Sequence, residues 1–315
     1  MKLSDTDLGN YVAGKLALPG EERNEHRGQV NRLLEKLEGE LHSDGSYRIK
    51  KFRRAGSLEK GTSNRPRAGK PVDADIGVYF DADPEDFDTN DLQARIKRLL
   101  VAAYPQKSPE DFEVGARTFS VVFKGSGLEV DLVPIVALDG TADYGLQYSR
   151  SGDCVKTSVK THLDHYRDHV RRDPLLASML RLAKRWRHWQ ELDGIPSFHL
   201  ELVLSYLVDR DGPATGLEEG LRRLFLFIAR DLHAGVDFGG TGGTGAAGLD
   251  APIVIVDPAN NENNVAARVT HSERDAFIDA SKEALVTISV AQGLPFKGET
   301  ISAWKDLFGD NFSID

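Results

Sequence analysis

Asp73 and Asp75 stand one residue apart in Val72-Asp73-Ala74-Asp75-Ile76-Gly77-Val78-Tyr79-Phe80, a run rich in residues that favour strands. Successive side chains of a strand alternate between faces, so both carboxylates project from one side with Cα atoms about 7 Å apart, while Ala74 and Ile76 turn to the other. Two like charges this close repel, and shared coordination of a hard divalent cation such as Mg²⁺ would give the pair a purpose. A third carboxylate, Asp131, lies in Leu128-Glu129-Val130-Asp131-Leu132-Val133-Pro134, with Leu128, Val130 and Leu132 facing one way and Asp131 the other. Seventeen residues before Asp73 comes Gly56-Ser57, at a predicted strand-to-helix junction. A glycine there lets the backbone approach a phosphate, and the serine hydroxyl with the first N–H groups of the helix can donate to it. Taken singly these features have plainer readings, a solvated acidic face and an ordinary helix cap. Together they bring cation and phosphate to one place.

The elements that must hold these residues follow from periodicity. Val30, Leu33, Leu34, Leu37 and Leu41 predict an amphipathic helix from Glu21 to about His42. A short basic strand, Tyr47 to Ala55, leads into the Gly-Ser turn, and a polar loop with Pro66 and Gly69 separates that turn from the Asp-x-Asp strand. A helix over Asp91 to Tyr104 is followed by strands Thr118 to Phe123 and Leu128 to Val136, joined as a hairpin through Lys124-Gly125-Ser126-Gly127. Beyond residue 155 the chain turns helical, over Leu175 to Trp189, Phe198 to Asp209, Leu221 to His233 and Glu273 to Ala291. Gly240-Thr241-Gly242-Gly243-Thr244-Gly245 matches the dinucleotide fingerprint literally, but a helix precedes it and a predicted strand, Pro252 to Val256, follows. That is the reverse of the required order, so it reads as a flexible loop. His162, His165 and His169 fall near one helix face, but neighbouring Asp164, Arg167 and Asp168 favour an exposed polar helix over a metal site.

Composition removes other classes. At about 150 residues per domain, 315 residues suggest two domains. No stretch reaches the roughly 18 apolar residues of a membrane span, and Met1 to Asp5 lacks the order of a secretory signal, so a cytoplasmic protein is expected. The single cysteine, Cys154, can form neither an intrachain disulfide nor a thiolate zinc site alone. The net charge of −9 argues against a whole-surface polyanion binder while leaving local basic pockets open. Neither a G-x-S-x-G turn nor a Walker GK[ST] occurs.

The order Gly-Ser, Asp-x-Asp, distant Asp resembles the active site of the DNA polymerase β-like nucleotidyltransferases. Leu182-Ala183-Lys184-Arg185-Trp186 with Pro196-Ser197-Phe198-His199-Leu200-Glu201-Leu202 is similar to two helical segments of the oligoadenylate synthetase and cyclic GMP-AMP synthase group. Pro252 to Asn260 with Asn263 to Ala266 resembles that group's late strand and loop. The likeness is nearest to the bacterial CD-NTases of CBASS anti-phage operons, in the clade linked with HORMA-domain regulators and cyclic trinucleotides. Gly56 to Thr62, Ser126 to Pro134 and Leu182 to Lys184 carry it, and it runs from about residue 25 to 310.

The resemblance implies an α+β fold: a nucleotidyltransferase palm with an N-terminal helix over 1–160, a helical C-terminal lobe over 161–315, and an active site in the cleft between. Asp73 and Asp75 would hold the donor-side metal and triphosphate, and Asp131 the acceptor-side metal. Gly56, Ser57 and Lys184 would hold phosphates, Ser197 would hydrogen-bond one, and Phe198 would stack on a base. Mg²⁺, or Mn²⁺ in its place, would serve as cofactor and ATP, with other NTPs, as substrate. The product would be a cyclic oligonucleotide, cyclic tri-AMP first, and a HORMA-domain protein the regulator. Rival readings are nucleotide addition to RNA ends or protein, and a nucleotide-binding sensor without turnover. The stretch Ser63 to Val72, with Arg65, Arg67 and Lys70, is long for the family, so acceptor-pocket details do not carry over.

Overall fold

The computed structural model describes residues 3–66, 70–141, 143–239 and 249–314. The chain divides into two compact units, Leu18–Asp164, and Met1–Ala17 with His165–Asp315. It starts in the second unit, with α1 (Asp5–Tyr11) running into a π-helical turn (Val12–Leu16). The first unit opens with α2 (Gly20–Asp44), which buries Val30, Leu33, Leu34, Leu37 and Leu41 as their spacing predicts and ends at Gly45, whose φ is +69°. Then follow β1 (Ile49–Ala55), the single turn α3 (Gly56–Glu59), β2 (Val72–Phe80) and α4 (Thr89–Ala103). The unit continues through β3 (Phe112–Val114), β4 (Phe119–Phe123), β5 (Leu128–Ala137), β6 (Gly145–Tyr148) and β7 (Cys154–Thr157).

These strands form one sheet in the order β1-β2-β5-β4-β3, with β6 on β5 and β7 on β6. β2 and β5 are parallel, paired from Val72 and Leu128 to Phe80 and Val136; the other pairs are antiparallel. Side-chain alternation gives the central strands two distinct faces. Val72, Ala74, Ile76, Val78 and Phe80, with Leu128, Val130 and Leu132, join the buried stripes of α2 and α4 in one apolar core. The opposite face carries Asp73, Asp75, Gly77 and Tyr79 on β2, and Glu129, Asp131, Val133 and Ile135 on β5. Its far end is covered: Tyr79 and Ile135 pack with Val159 and Leu163 of α5 (Val159–Arg172). Gly77 marks the limit of that cover, because a Cβ there would lie 3.0 Å from Val159 Cγ2 and 3.2 Å from Ile135 Cδ1.

The second unit contains α6 (Leu176–Trp189), α7 (Ser197–Asp211), α8 (Leu217–Arg230), the ribbon β8 (Val256–Asp257) and β9 (Asn260–Asn264), α9 (His271–Gly293) and α10 (Lys297–Phe308). Residues 3–17 fold here, a difference from a contiguous boundary at residue 160. Tyr11 packs on Phe308 and Phe312, and Asp5 Oδ1 accepts the Leu217 N–H at 2.7 Å, capping α8. The strand expected over Pro252 to Val256 is reduced to β8 and a bridge between Val236 and Ile255. The Asn264 side chain takes the partner's role there, accepting from Ile255 N at 2.9 Å and donating to Ile253 O at 2.9 Å. Among the described residues no helix is long and apolar enough to cross a membrane. Gly240 to Gly245 and Arg67 lie outside the described residues.

Candidate active site

Asp75 and Asp131 sit at paired positions of β2 and β5, on the same face and away from Val159 and Leu163, in neighbouring strands about 4.8 Å apart. Asp73, two residues earlier, pairs with Glu129. Asp73 is exposed, and Asp75, Glu129 and Asp131 are half-buried. Ser120 of β4, buried and opposite Asp131 in the antiparallel pair, donates from Oγ to Asp131 Oδ1 at 2.5 Å. Burial, and then the negative charges of Asp131, Asp73 and Glu113, push the Glu129 carboxyl above its ordinary value. The face is therefore a concentration of carboxylates that a cation would relieve.

The Gly-Ser turn meets these carboxylates directly. β1 pairs with β2 so that Ala55 lies opposite Asp75, and the chain then turns at Gly56 with φ of +65°. A Cβ at Gly56 would fall 1.6 Å from Asp75 Oδ2 and 2.6 Å from its Cγ. Glycine is required here twice, by the left-handed backbone and by the carboxylate against its Cα. Ser57 Oγ lies 3.0 Å from Ser63 Oγ, and Ser57 O accepts the Thr62 N–H at 2.8 Å, closing the turn. The helix expected after Gly56 is only one turn long. Phosphate binding there would rest on local N–H groups and the Ser57 hydroxyl rather than on a helix macrodipole.

Lys184, Ser197 and Phe198 belong to the second unit. Lys184 is half-buried on α6, one turn before Arg187 and so on the same helix face. Arg187 donates to Ser197 Oγ at 3.3 Å and to Leu192 O at 3.1 Å, pinning the α6–α7 connection, and burial lowers its affinity for a proton. Phe198 is partly buried against the unit's core. His199 is buried and donates from Nε2 to Val265 O at 3.1 Å; burial pushes it down to about 4, which keeps the imidazole neutral. The structure thus brings Asp73, Asp75, Asp131, Gly56 and Ser57 together in one unit, and places Lys184 on α6 and Ser197 and Phe198 at the start of α7 in the other.

The residues fit a hard divalent ion. The donors are carboxylate oxygens without sulfur or imidazole, which suits Mg²⁺ or Mn²⁺. Among the described residues no three His, Cys, Asp or Glu side chains converge closely enough to hold an ion alone. That agrees with Mg²⁺ chemistry, in which one or two carboxylates share the ion with water and substrate phosphates. Of the three histidines, His165 and His169 pack with ring centroids 4.3 Å apart, and His169 is buried between the His165 carbonyl at 2.7 Å and Asp209 Oδ2 at 3.1 Å. Sequence reasoning missed Ser120, Glu129 and Arg187. The hairpin held the signal for Ser120, since a turn centred on Gly125-Ser126 sets residue 120 opposite 131.

Comparison with known proteins extends this picture. The chain is 31% identical over 318 residues to the CBASS oligonucleotide cyclase CdnC of Escherichia coli strain KTE188, covering 100% of this chain and 99% of that one. It is 31% identical over 314 residues to a cyclic AMP-AMP-AMP synthase of E. coli strain MS 115-1, covering 97% and 96%. The solved structure of E. coli MS115-1 CdnC with ATP matches with a TM-score of 0.83 at 30% identity over 99% of both chains, and its complex with HORMA-deltaN matches with the same score and identity over 99% and 98%. No family model matches the sequence. With full-length identity above 30% and the α+β fold in common, the chain belongs to the CD-NTase nucleotidyltransferases, the CBASS oligonucleotide cyclases.

Proposed function

We propose that this enzyme links ATP units into a cyclic oligoadenylate, cyclic tri-AMP first, in the cytoplasm, with Asp73, Asp75 and Asp131 as its metal-binding carboxylates. One observation carries the reading: Asp75 and Asp131 share paired positions on adjacent parallel strands, with Gly56 against Asp75 so closely that no side chain fits. The adenine and ring-size assignment is supported by the related cyclic AMP-AMP-AMP synthase and by the CdnC structure solved with ATP. Divalent ions, Mg²⁺ or Mn²⁺, would neutralise the triphosphate and stabilise the departing pyrophosphate when bound. Asp73 and Asp75 would orient the donor triphosphate, whose phosphates Gly56, Ser57, Lys184 and Ser197 would hold, with Phe198 against a base. Asp131 Oδ1 is engaged by Ser120, so Oδ2 is the oxygen that would face the attacking hydroxyl. The ribose hydroxyl would give up its proton toward the Asp131 carboxylate as its oxygen bonds to the donor's α-phosphorus, the bond to the β-phosphate bridge breaks, and pyrophosphate leaves. A final intramolecular transfer closes the ring.

The test is incubation of the full chain with each NTP and with mixtures, in Mg²⁺ and in Mn²⁺, followed by mass spectrometry of the products. Three adenylates without a terminal phosphate are expected from ATP, and none from Asp73→Asn/Asp75→Asn. Equal product from both proteins ends the assignment, and a linear product or a labelled RNA or protein replaces the cyclase reading. A HORMA-domain protein is the proposed regulator, because the related CdnC was solved with one. Addition of a HORMA-domain protein such as the one in the related CdnC complex is expected to change the rate; an unchanged rate and no complex on gel filtration overturn that part alone.

A further inference from the structure

We propose that a groove on the helix side of the first unit binds a phosphate-bearing small molecule of nucleotide size, apart from the aspartate face. The groove measures about 840 Å³ and lies between α2, the segment following α4, and the β4–β5 turn. Small-molecule sites commonly span about 300–1,000 Å³. α2 and α4 pack on the sheet face that carries Val72, Ala74 and Ile76, whereas Asp73, Asp75 and Asp131 project from the other.

The lining holds Arg32, Lys36, Lys107 and Lys124 against one carboxylate, Asp111, in a chain whose net charge is −9. Lys124 is committed to Asp111 at 2.6 Å. Lys107 is committed as well, donating to the Val122 carbonyl with its ammonium 4.1 Å from the Phe123 ring centroid. Arg32 and Lys36 remain: both exposed, one turn apart on α2, and neither within ion-pair distance of a carboxylate among the described residues. Like charges at this spacing disfavour the helix slightly, and a phosphate between them would convert repulsion into charge-assisted hydrogen bonds. Between the two cations and Phe123 stands Tyr104, half-buried, with Lys36 Nζ 5.6 Å from its ring centroid and its ring edge-on to Phe123 at 6.3 Å. Fixed in this way, the ring offers an aromatic surface to a base beside the phosphate-binding pair. The groove is also continuous with the catalytic strands: the turn that forms its wall leads into β5, and Gly127 O accepts the Val72 N–H at 2.7 Å.

Equilibrium dialysis of the full chain with labelled ATP in EDTA, where no turnover occurs, tests this. Wild type is expected to saturate with one more equivalent than Arg32→Ala/Lys36→Ala. The variant Arg171→Ala/Lys282→Ala, which removes two exposed cations elsewhere, should saturate as wild type does. Lys36→Glu alone should weaken the extra site at least about ten-fold. Tripolyphosphate separates the sources: tighter binding of ATP assigns Tyr104 to a base, and equal binding assigns the phosphates alone. Identical stoichiometry for wild type and Arg32→Ala/Lys36→Ala overturns the proposal, as does loss of the equivalent in the control. So does an effect confined to duplex nucleic acid, which would make the groove a track for a phosphate backbone. None of these readouts depends on which nucleotide the enzyme cyclises.

Discussion

The two faces of β2 and β5 are woven from alternate residues of the same strands, yet they serve opposite ends. One face holds Val72, Ala74, Ile76, Leu128, Val130 and Leu132, each at most 4% exposed, beneath two helices. The other holds Asp73, Asp75, Glu129 and Asp131, and its far end is covered by Val159 and Leu163. Rigidity is supplied by the first face and used by the second. Carboxylates that repel one another stay aligned because the residues between them are locked in a core. Substitutions on the two faces should therefore fail differently, one in activity and one in stability.

The largest expected effect comes from Gly56→Ala. The added methyl would displace the Asp75 carboxylate and strain a left-handed backbone, so turnover measured by pyrophosphate release should fall about 10³-fold, roughly 4 kcal/mol. The left-handed backbone should also cost about 1–2 kcal/mol of stability, less than the loss of activity. Ile76→Ala, on the other face and 1% exposed, should cost about 3 kcal/mol of stability in urea while the folded fraction keeps near-normal turnover. If both variants lose activity and stability in the same proportion, the faces are not separable and the comparison fails.

How much of this was legible in the sequence follows from range. The aspartate strand, its partner and the hairpin obey local rules, period-two alternation and turn chemistry, and β2 spans Val72–Phe80 as read. The contact between Gly56 and Asp75 was not legible, because it depends on the register of β1 against β2. Nor was the placement of α1 with α8 and α10, which joins residues two hundred or more positions apart. Lys184, Ser197 and Phe198 were readable only through resemblance. Nothing in helical spacing shows that Arg187 reaches across a loop to Ser197. The Pro252 to Val256 strand failed for a similar reason, since a distant Asn264 amide satisfies the backbone in place of a strand partner.

Ser120 sharpens the comparison at intermediate magnitude. It is a buried β4 residue whose only polar contact with the acidic face is the bond to Asp131 Oδ1. Ser120→Ala should leave the Asp131 carboxyl less well oriented, raising the divalent-ion concentration the reaction needs about 10–100-fold. Mn²⁺ binding followed by electron paramagnetic resonance should weaken in parallel, and Ser120→Thr should restore both. A loss of turnover without any change in ion dependence would mean that Ser120 acts only in packing.

Glu129 gives the smallest effect and asks whether the acidic face is held under electrostatic tension. Its folded-state carboxyl is raised above the ordinary 4.5, first by burial and then by Asp131, Asp73 and Glu113. For an acid raised in the folded state, the protonated form is favoured by folding. The stability it contributes is fully present below the ordinary glutamate value and is lost as pH rises through the raised folded value. Glu129→Gln cannot ionise, so in EDTA at pH 7.5 the variant should unfold at higher urea than wild type, and the two should converge near pH 4. Divalent ions should narrow the gap at pH 7.5, because they neutralise the charges that Glu129 opposes. A gap that is the same at both pH values, or reversed at pH 7.5, would show that these carboxylates are independently solvated. The face would then be acidic without being poised for a cation.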